Sequence, residues 1–402
     1  MRFHRRTVVS VLLFPLLLAG SVTGLRGYAP PDLPEQLTDQ EFWNLTESLS
    51  EPNGSFQSDN LLSNEMVFAR MVPDLMARTK PGGVYLGVGP EQNFTYIAAI
   101  RPRMVFITDI RRGNLHMHLM YKALFEMSKD RAEFVSRLFT KPRPDGLGAG
   151  SSATEIMNAY WDVKTSDEAT YSANLAALQS HLTVTHKLPL SAADLAGIAA
   201  VYRTFYWYGP AMTYSANTSL TVSPGSRGTT YWDLMTQSDS DRQGLSYLGS
   251  EEKFVFLKDL ERRNLVVPVV GDFAGPKALR AVGAYIRDHG ATVTAFYLSN
   301  VEQYLRRGQT WSTFCSNVAT FPLDDASVFI RPSGGALTLF NARPVSMASG
   351  QTANGNVSGT AAAAATQMAQ IRFVTLPGTA TGPGAFAGGL VPMAAEVKNC
   401  GG

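Results

Sequence analysis

Short apolar runs alternate with longer amphipathic stretches in two parts of the chain. In the first part, residues 84–87 and 104–110 are apolar runs of strand length, whereas residues 91–100 and 114–127 have apolar side chains at helical spacing. These two periodicities are the main sequence signals for strands and helices. The order strand, helix, strand, helix predicts a parallel sheet whose strands are connected by right-handed crossovers.

The same alternation returns in the last third of the chain. There the pattern predicts the strands 264–270, 292–298 and 326–330 and the helices 277–289 and 301–305. We therefore predict an α/β fold, with a doubly wound, mostly parallel, Rossmann-like sheet. Its two halves, 81–140 and 251–345, are separated by a mostly helical insertion, 141–250, which we expect to cap the crevice at the sheet edge.

The N-terminus has the pattern of an export signal. Arg2, Arg5 and Arg6 precede an apolar run, and small residues follow it, so residues 1–24 are predicted to be a signal peptide. An uncleaved N-terminal anchor is the alternative. Both readings predict a protein that is exported to the periplasm or the cell exterior, with no membrane contact beyond the leader.

Two further segments flank the predicted sheet. Residues 25–80 are predicted to be an N-terminal helical segment, with one helix at 37–48, for which Thr38 is the candidate cap, and a second at 61–76. Residues 346–402 are rich in Gly and Ala and poor in charge, so we predict a low-complexity, largely disordered tail with one candidate strand at 371–376.

Composition and charge narrow the classes of partner. Hydrophobic residues make up 45% of the chain, and Lys+Arg 35 against Asp+Glu 33 leave a formal charge of +2. Nucleic acid is not an expected partner, because its binding needs a basic surface. Cys315 and Cys400 either form one disulfide or remain two free thiols. No metal site is predicted, since the cysteines lack further ligands, and His116 and His118 point to different faces of a helix.

A glycine turn followed by an acidic strand tip is the most informative motif. Gly87-Val88-Gly89 ends the first predicted strand, and Asp109 ends the second, 20 residues after Gly89. Glycines allow the backbone to approach a ligand, and an acid at this spacing is typical of ribose binding. The alternative is a glycine turn and a capping aspartate with no bound nucleotide.

At these residues the chain resembles class I S-adenosylmethionine-dependent methyltransferases, over residues 83–127 and 265–331. The resemblance implies that Gly87 and Gly89 form the turn beside the methionine part of S-adenosylmethionine, that Asp109 holds the ribose, and that Asp272 faces the cofactor. The chain departs from the family at Tyr85, where an acid is common, and at Glu91, where a small residue is common. The chain is also similar to uncharacterised exported bacterial proteins that share GVGPEQNF and VGDFAGPKA.

Other polar residues near the predicted strand ends complete the candidate site. The cofactor-binding candidates are Gly87, Gly89, Glu91, Asn93, Asp109 and Arg111. The substrate-binding candidates are Asn64, Glu65, Tyr297 and Asn300. Asp272 is the candidate general base or polar anchor, because a carboxylate at a strand edge can be desolvated and its pKa raised. Helix capping is the alternative role of the polar cluster 58–65, and an ion pair with Asp109 is the alternative role of Arg111.

Two function hypotheses follow. The first is an exported, methyltransferase-like protein that binds a small nucleotide-like or anionic ligand, with transferase chemistry unproven and S-adenosylmethionine as the candidate cofactor. The second is a non-catalytic envelope or surface scaffold that retains the fold and binds another protein. Ligand binding in the predicted crevice discriminates between them.

Overall fold

A computed structural model of the chain describes residues 32–56, 58–65, 68–214, 229–331 and 389–399. The predicted signal peptide and the candidate strand at 371–376 lie outside these residues. The six strands are β1 (Val84–Gly87), β2 (Met104–Asp109), β3 (Val266–Val270), β4 (Val293–Tyr297), β5 (Val328–Arg331) and β6 (Gly389–Pro392).

The fourteen α-helices of the described residues lie between and around these strands. They are α1 (Asp39–Leu49), α2 (Val72–Arg78), α3 (Gln92–Ile100), α4 (Arg112–Met127), α5 (Arg131–Phe139), α6 (Ala153–Asp162), α7 (Glu168–Ser180), α8 (Ala192–Tyr208), α9 (Tyr231–Met235), α10 (Glu251–Arg262), α11 (Ala278–Asp288), α12 (Val301–Arg307), α13 (Trp311–Val318) and α14 (Met393–Asn399). Among the described residues, no helix combines the length and the apolar character needed to cross a membrane.

The strands form one mixed, mostly parallel sheet in the order β3-β2-β1-β4-β5-β6. The first five strands are parallel, and β6 pairs antiparallel with β5. All residues of β1 and β2 are buried, as expected for central strands that helices cover on both faces. Pro268 lies in β3, and its missing N–H is tolerated there because β3 is at the sheet edge.

Local sequence signals account for most helix starts. Thr38 caps α1 as predicted: its hydroxyl accepts the N–H of Glu41 at 3.2 Å, and the Glu41 carboxylate accepts the N–H of Thr38 at 2.8 Å. The helix predicted at 61–76 begins later, as a 3₁₀ turn at Phe68–Met71 followed by α2. Residues 58–65 therefore do not cap this helix. Residues 254–259, whose sequence is compatible with a strand or a helix, belong to α10.

The segment before β1 crosses the carboxyl edge of the sheet. The N–H of Glu51 donates to the carbonyl of Val270, and the N–H of Gly54 donates to the carbonyl of Ile110. These bonds hold the segment beside the ends of β3 and β2.

The described part of the C-terminal segment has regular secondary structure. Residues 389–399 form β6 and α14, and the guanidinium of Arg331 binds both Glu302 at 2.6 Å and Glu396 of α14 at 2.9 Å. Cys315 of α13 is disulfide-bonded, whereas Cys400, the other cysteine of the chain, lies outside the described residues.

Candidate functional site

A cavity of about 220 Å³ opens at the carboxyl ends of β1, β2, β3 and β4. In the sheet, β2 and β3 lie on one side of β1, whereas β4 and β5 lie on its other side. The cavity therefore lies where the strand order reverses. Open α/β sheets bind ligands at this position. The polar residues in its wall are Asn60, Ser63, Asn64, Gln92, Asp109, Asp272, Ser299, Asn300 and Thr310.

The structure brings five of the predicted site residues to the cavity wall. They are Gly89, Asp109, Asp272, Asn64 and Asn300. The other six predicted residues do not line the cavity: Gly87, Glu91, Asn93, Arg111, Glu65 and Tyr297. Most of them lie behind the wall and hold the residues that line it.

The glycine turn is shaped from inside by Asn93. Its amide nitrogen donates to the carbonyls of Val88 at 2.9 Å and Pro90 at 2.7 Å, and its oxygen accepts the Tyr85 hydroxyl at 2.8 Å. With its amide used in this way, Asn93 positions the turn and does not contact the cavity, contrary to its predicted role in cofactor binding. Gly89 has a φ of +76°.

A histidine supports the same turn. The Nε2 of His118 donates to the carbonyl of Gly89 at 3.0 Å, and burial lowers the pKa of His118 to about 4, so the ring is neutral. The neighbouring histidine of α4, His116, does not line the cavity. Instead, His116 binds Asp194 of α8 at 2.9 Å, because it lies on the face of α4 that packs against the insertion.

Glu91 is fully buried at the start of α3. Its Oε1 accepts the N–H of Ser63 at 3.3 Å, and its Oε2 has no hydrogen-bond partner among the described residues. Burial raises the pKa of Glu91 to about 8, so the carboxyl is protonated at neutral pH. Glu91 therefore holds the segment before β1 against the turn. It does not line the cavity, contrary to its predicted role in cofactor binding.

Asp109 reaches the cavity while it pairs with Arg111. Its Oδ1 accepts the N–H of Arg111 at 2.9 Å and lies 3.3 Å from the Arg111 Nε. Burial raises the pKa of Asp109, and the Arg111 guanidinium opposes that rise. Arg111 also donates to the carbonyl of Asp59, so it fastens the crossing segment and is not presented to a ligand. Oδ2 of Asp109 has no hydrogen-bond partner among the described residues.

Asp272 lines the cavity but is exposed. Its Oδ1 accepts the N–H of Ala274 at 2.9 Å, which closes the turn after β3. The expectation of a desolvated general base is therefore wrong, since Asp272 is exposed to solvent although its neighbours Gly271 and Phe273 are buried.

The helix N-terminus beyond this loop is filled by the chain itself. The carboxylate of Glu51 accepts the N–H groups of Lys277 and Ala278 at 2.8 Å each and that of Asp272 at 3.1 Å. Free N–H groups at the start of a helix are the usual binding site of a phosphate. At α11 this position belongs to Glu51.

Two predicted residues, the buried Tyr297 and the partly buried Glu65, support the lining residues Gln92 and Ser299, of which Gln92 was not predicted. Tyr297 accepts the amide of Gln92 at 3.0 Å, and the Glu65 carboxylate accepts the hydroxyl of Ser299 at 2.6 Å. Burial raises the pKa of Glu65. Tyr297 and Glu65 thus position Gln92 and Ser299 and do not touch the cavity. The position of Gln92 close behind the glycine turn was the sequence signal that could have identified it as a lining residue.

The insertion reaches the cavity at one place among its described residues. Tyr214 lines the wall, and its hydroxyl donates to Asn60 at 2.6 Å. The long helix α8 packs instead along α4. We expected the insertion to cap the crevice. The described part of the insertion instead packs beside the sheet domain.

Fold and cavity together define an α/β protein with a crevice at the carboxyl edge of a mostly parallel sheet. The chain belongs to the family described as Domain of unknown function (DUF7790), whose profile matches residues 61–372. No curated protein matches the chain. Since the family description states no activity, the function has to be argued from the site.

Proposed function

We propose that this protein binds a small nucleoside-type ligand in the crevice of a Rossmann-like, methyltransferase-like domain, with S-adenosylmethionine as the first candidate. The observation that carries the proposal is the position of Asp109. Its carboxylate ends β2 and lines the cavity beside Gly89, and within the described residues no group hydrogen-bonds to its Oδ2, which can accept from a hydroxyl group. An acid at this strand tip is the ribose-binding element of nucleotide-binding Rossmann domains.

The strand order supports the Rossmann-like part of the proposal. The order β3-β2-β1-β4-β5-β6 is the same as that of the doubly wound dinucleotide-binding fold, although β6 runs antiparallel. An antiparallel edge strand on an otherwise parallel sheet is common in such folds.

Carboxyl groups of the chain lie at two helix starts where a ligand phosphate could bind, and this narrows the class of ligand. Glu51 occupies the N–H groups at the start of α11, and a second carboxyl, Glu91, lies buried at the start of α3. A ligand phosphate at either position would have to displace or approach a carboxyl group. S-adenosylmethionine and adenosine have a ribose but no phosphate, so they suit this crevice better than a dinucleotide does.

The rest of the wall fits a nucleoside. Apolar side chains from several elements surround the cavity and offer surfaces for a base: Phe56, Leu62, Val88, Ile110 and Phe273. Asn64 and Asn300 add amides whose N–H groups can donate to ring nitrogens or to a carboxylate. The proposal stops at binding, because Asp272, the expected general base, is exposed.

Export remains part of the proposal and bears on the choice of ligands. S-adenosylmethionine is made in the cytoplasm, so a protein with a signal peptide meets it only in released form. The ligand panel therefore has to include S-adenosylhomocysteine and adenosine as well as S-adenosylmethionine and NAD.

The test is ligand-induced stabilisation of the purified chain, followed by calorimetric titration. We expect the nucleoside ligands to raise Tm, because a ligand that binds only the native state stabilises it. We expect Asp109→Asn to weaken binding by about tenfold or more, the value of a hydrogen bond to a charged group. Asp325→Asn, an exposed aspartate before β5, is the matched control. No stabilisation by any of these ligands would reject the proposal and favour the scaffold hypothesis.

A further inference from the structure

A second cluster of potential ligand residues lies at the far end of α4 from the cavity. Glu126 is near the C-terminus of α4, and His181 and His186 lie at the end of α7 and in the turn that follows it. Their ligand atoms, one from each residue, all lie within 4.8 Å of one another. The Nε2 atoms of His181 and His186 approach the same oxygen, Glu126 Oε2, at 2.7 Å and 2.5 Å.

A π-helical turn brings the two histidines together. Residues His181–Thr185 form this turn, and the N–H of His186 donates to the carbonyl of His181 at 3.1 Å. In an α-helix, residues five apart point about 140° away from each other. The wider π turn brings both rings to one side, with ring centroids 5.0 Å apart. Single π turns occur frequently at functional sites.

Outer contacts orient two of the three ligands. The Nδ1 of His186 donates to Asp39 Oδ1 at 2.6 Å, which leaves Nε2 to face Glu126. The Nζ of Lys122 donates to Glu126 Oε1 at 2.7 Å, which leaves Oε2 to face the histidines. Metal-binding histidines usually donate their other ring nitrogen to a carboxylate, and ligating carboxylates are themselves hydrogen-bonded.

Burial and charge also suit a bound cation. The side chains of Glu126 and His186 are only 6% and 11% exposed, whereas Asp39 is 37% exposed and gives access from solvent. Among the hydrogen-bond partners of Asp39 and Glu126 in the described part of the chain, two carboxylates face one ammonium, that of Lys122. Two imidazoles and one carboxylate are a ligand set that zinc uses when one position remains open to water.

We propose that Glu126, His181 and His186 bind one divalent transition-metal ion, with zinc as the first candidate. Asp39 is a positioning residue for His186. The ion would link α1, α4 and the turn after α7, and so fasten the insertion to the sheet domain. This inference is independent of the crevice and of the function proposed for it, because no residue of the cluster lines the cavity.

The experiment is metal loading of the full, untagged chain with zinc alone, followed by desalting and elemental analysis. We expect one zinc per chain and a rise in Tm. Cobalt(II) in place of zinc should give the visible absorption of a four- or five-coordinate ion with nitrogen and oxygen ligands. His181→Asn and Glu126→Gln should each abolish retention and the cobalt spectrum. His289→Asn should retain both, since the His289 ring donates to the carbonyl of Tyr285 and is not part of the cluster.

Asp39→Asn tests the positioning role without removing a ligand. We expect the stoichiometry to stay at one and the affinity for zinc to fall between about tenfold and a hundredfold, as is usual for outer-shell carboxylates. Circular dichroism of each metal-free variant shows whether it is folded. A wild-type chain that retains no zinc would overturn the proposal and leave a hydrogen-bonded ion network. Retention of one zinc by a folded His181→Asn variant would also overturn it.

Discussion

Gly87 and Gly89 stand two residues apart in one turn, but each is required for a different physical reason. A Cβ on Gly87 would lie 2.0 Å from the Asn93 oxygen, a buried atom that is hydrogen-bonded in place. Gly89 has open space around its Cα, with no neighbour closer than 3.9 Å to an added Cβ, and it is glycine because its φ is +76°. The first residue is limited by packing and the second by backbone strain.

This difference predicts unequal costs of substitution by alanine. Gly89→Ala should lower the free energy of unfolding by about 1 kcal/mol, the usual cost of a left-handed residue. Gly87→Ala should lower it by about 3 kcal/mol, because the added methyl group displaces Asn93 and its three contacts. Urea unfolding followed by circular dichroism measures both values. Gly148→Ala, where nothing lies within 4 Å, is the control. Equal losses at Gly87 and Gly89 would contradict this account.

At the scale of elements, the start of α11 shows how the chain occupies its own anion site. Glu51 comes from the crossing segment, and its carboxylate accepts three backbone N–H groups around this helix start. The contact joins the segment to the loop after β3. It also removes from this edge of the sheet a binding position that many Rossmann-like proteins offer to phosphate.

We predict that Glu51→Ala destabilises the protein and creates an anion site. The loss of a capping acceptor should lower the free energy of unfolding by about 1–2 kcal/mol. The freed N–H groups, with Lys277 beside them, should then bind sulfate, so sulfate should raise the Tm of the variant more than that of the wild type. Sodium chloride at equal ionic strength and Glu35→Ala, an exposed glutamate, are the controls. The same sulfate response in both proteins would show that the helix start is not vacated.

Elements with a local signal could be predicted from the sequence, and those that depend on distant partners could not. The apolar runs of β1 and β2 and the Thr38 cap of α1 are local, and each was confirmed within one or two residues. β6 was missed because its stability comes from pairing with β5, which ends 58 residues before β6 begins (331 to 389). Helix α13 was also missed, and its N-cap residue, Thr310, makes no capping hydrogen bond through its side chain.

The same distinction applies to the site. Asp109, Asp272 and Asn300 were predicted to meet because the carboxyl ends of parallel strands share one edge, and all three line the cavity. The direction of a side chain is not set by its place at a strand end. Glu65 and Tyr297 point into the protein, and the burial of Glu91 depends on Ser63 from the crossing segment. Such tertiary contacts leave no pattern in the sequence.

At the scale of the whole molecule, buried carboxyls should make stability depend on pH. Burial raises the pKa of Glu91 and that of Glu261 from 4.5 to about 8. Between these values the folded state holds protons that the unfolded chain has released. The contribution of these two groups to the free energy of unfolding should therefore be highest below about pH 4.5. It should fall as the pH rises towards 8 and level off above that pH.

Glu91→Gln isolates one of these groups, because the amide cannot ionise and can still accept the N–H of Ser63. Relative to this variant, the wild type should lose up to about 1.4 kcal/mol of unfolding free energy per pH unit between pH 5 and 8. Urea unfolding at unit intervals of pH measures the difference. Glu252→Gln, which replaces a carboxylate that is 77% exposed, is the matched control. A flat difference for Glu91→Gln would mean that Glu91 is ionised in the folded protein, and its charge would then face any anion brought to the start of α3.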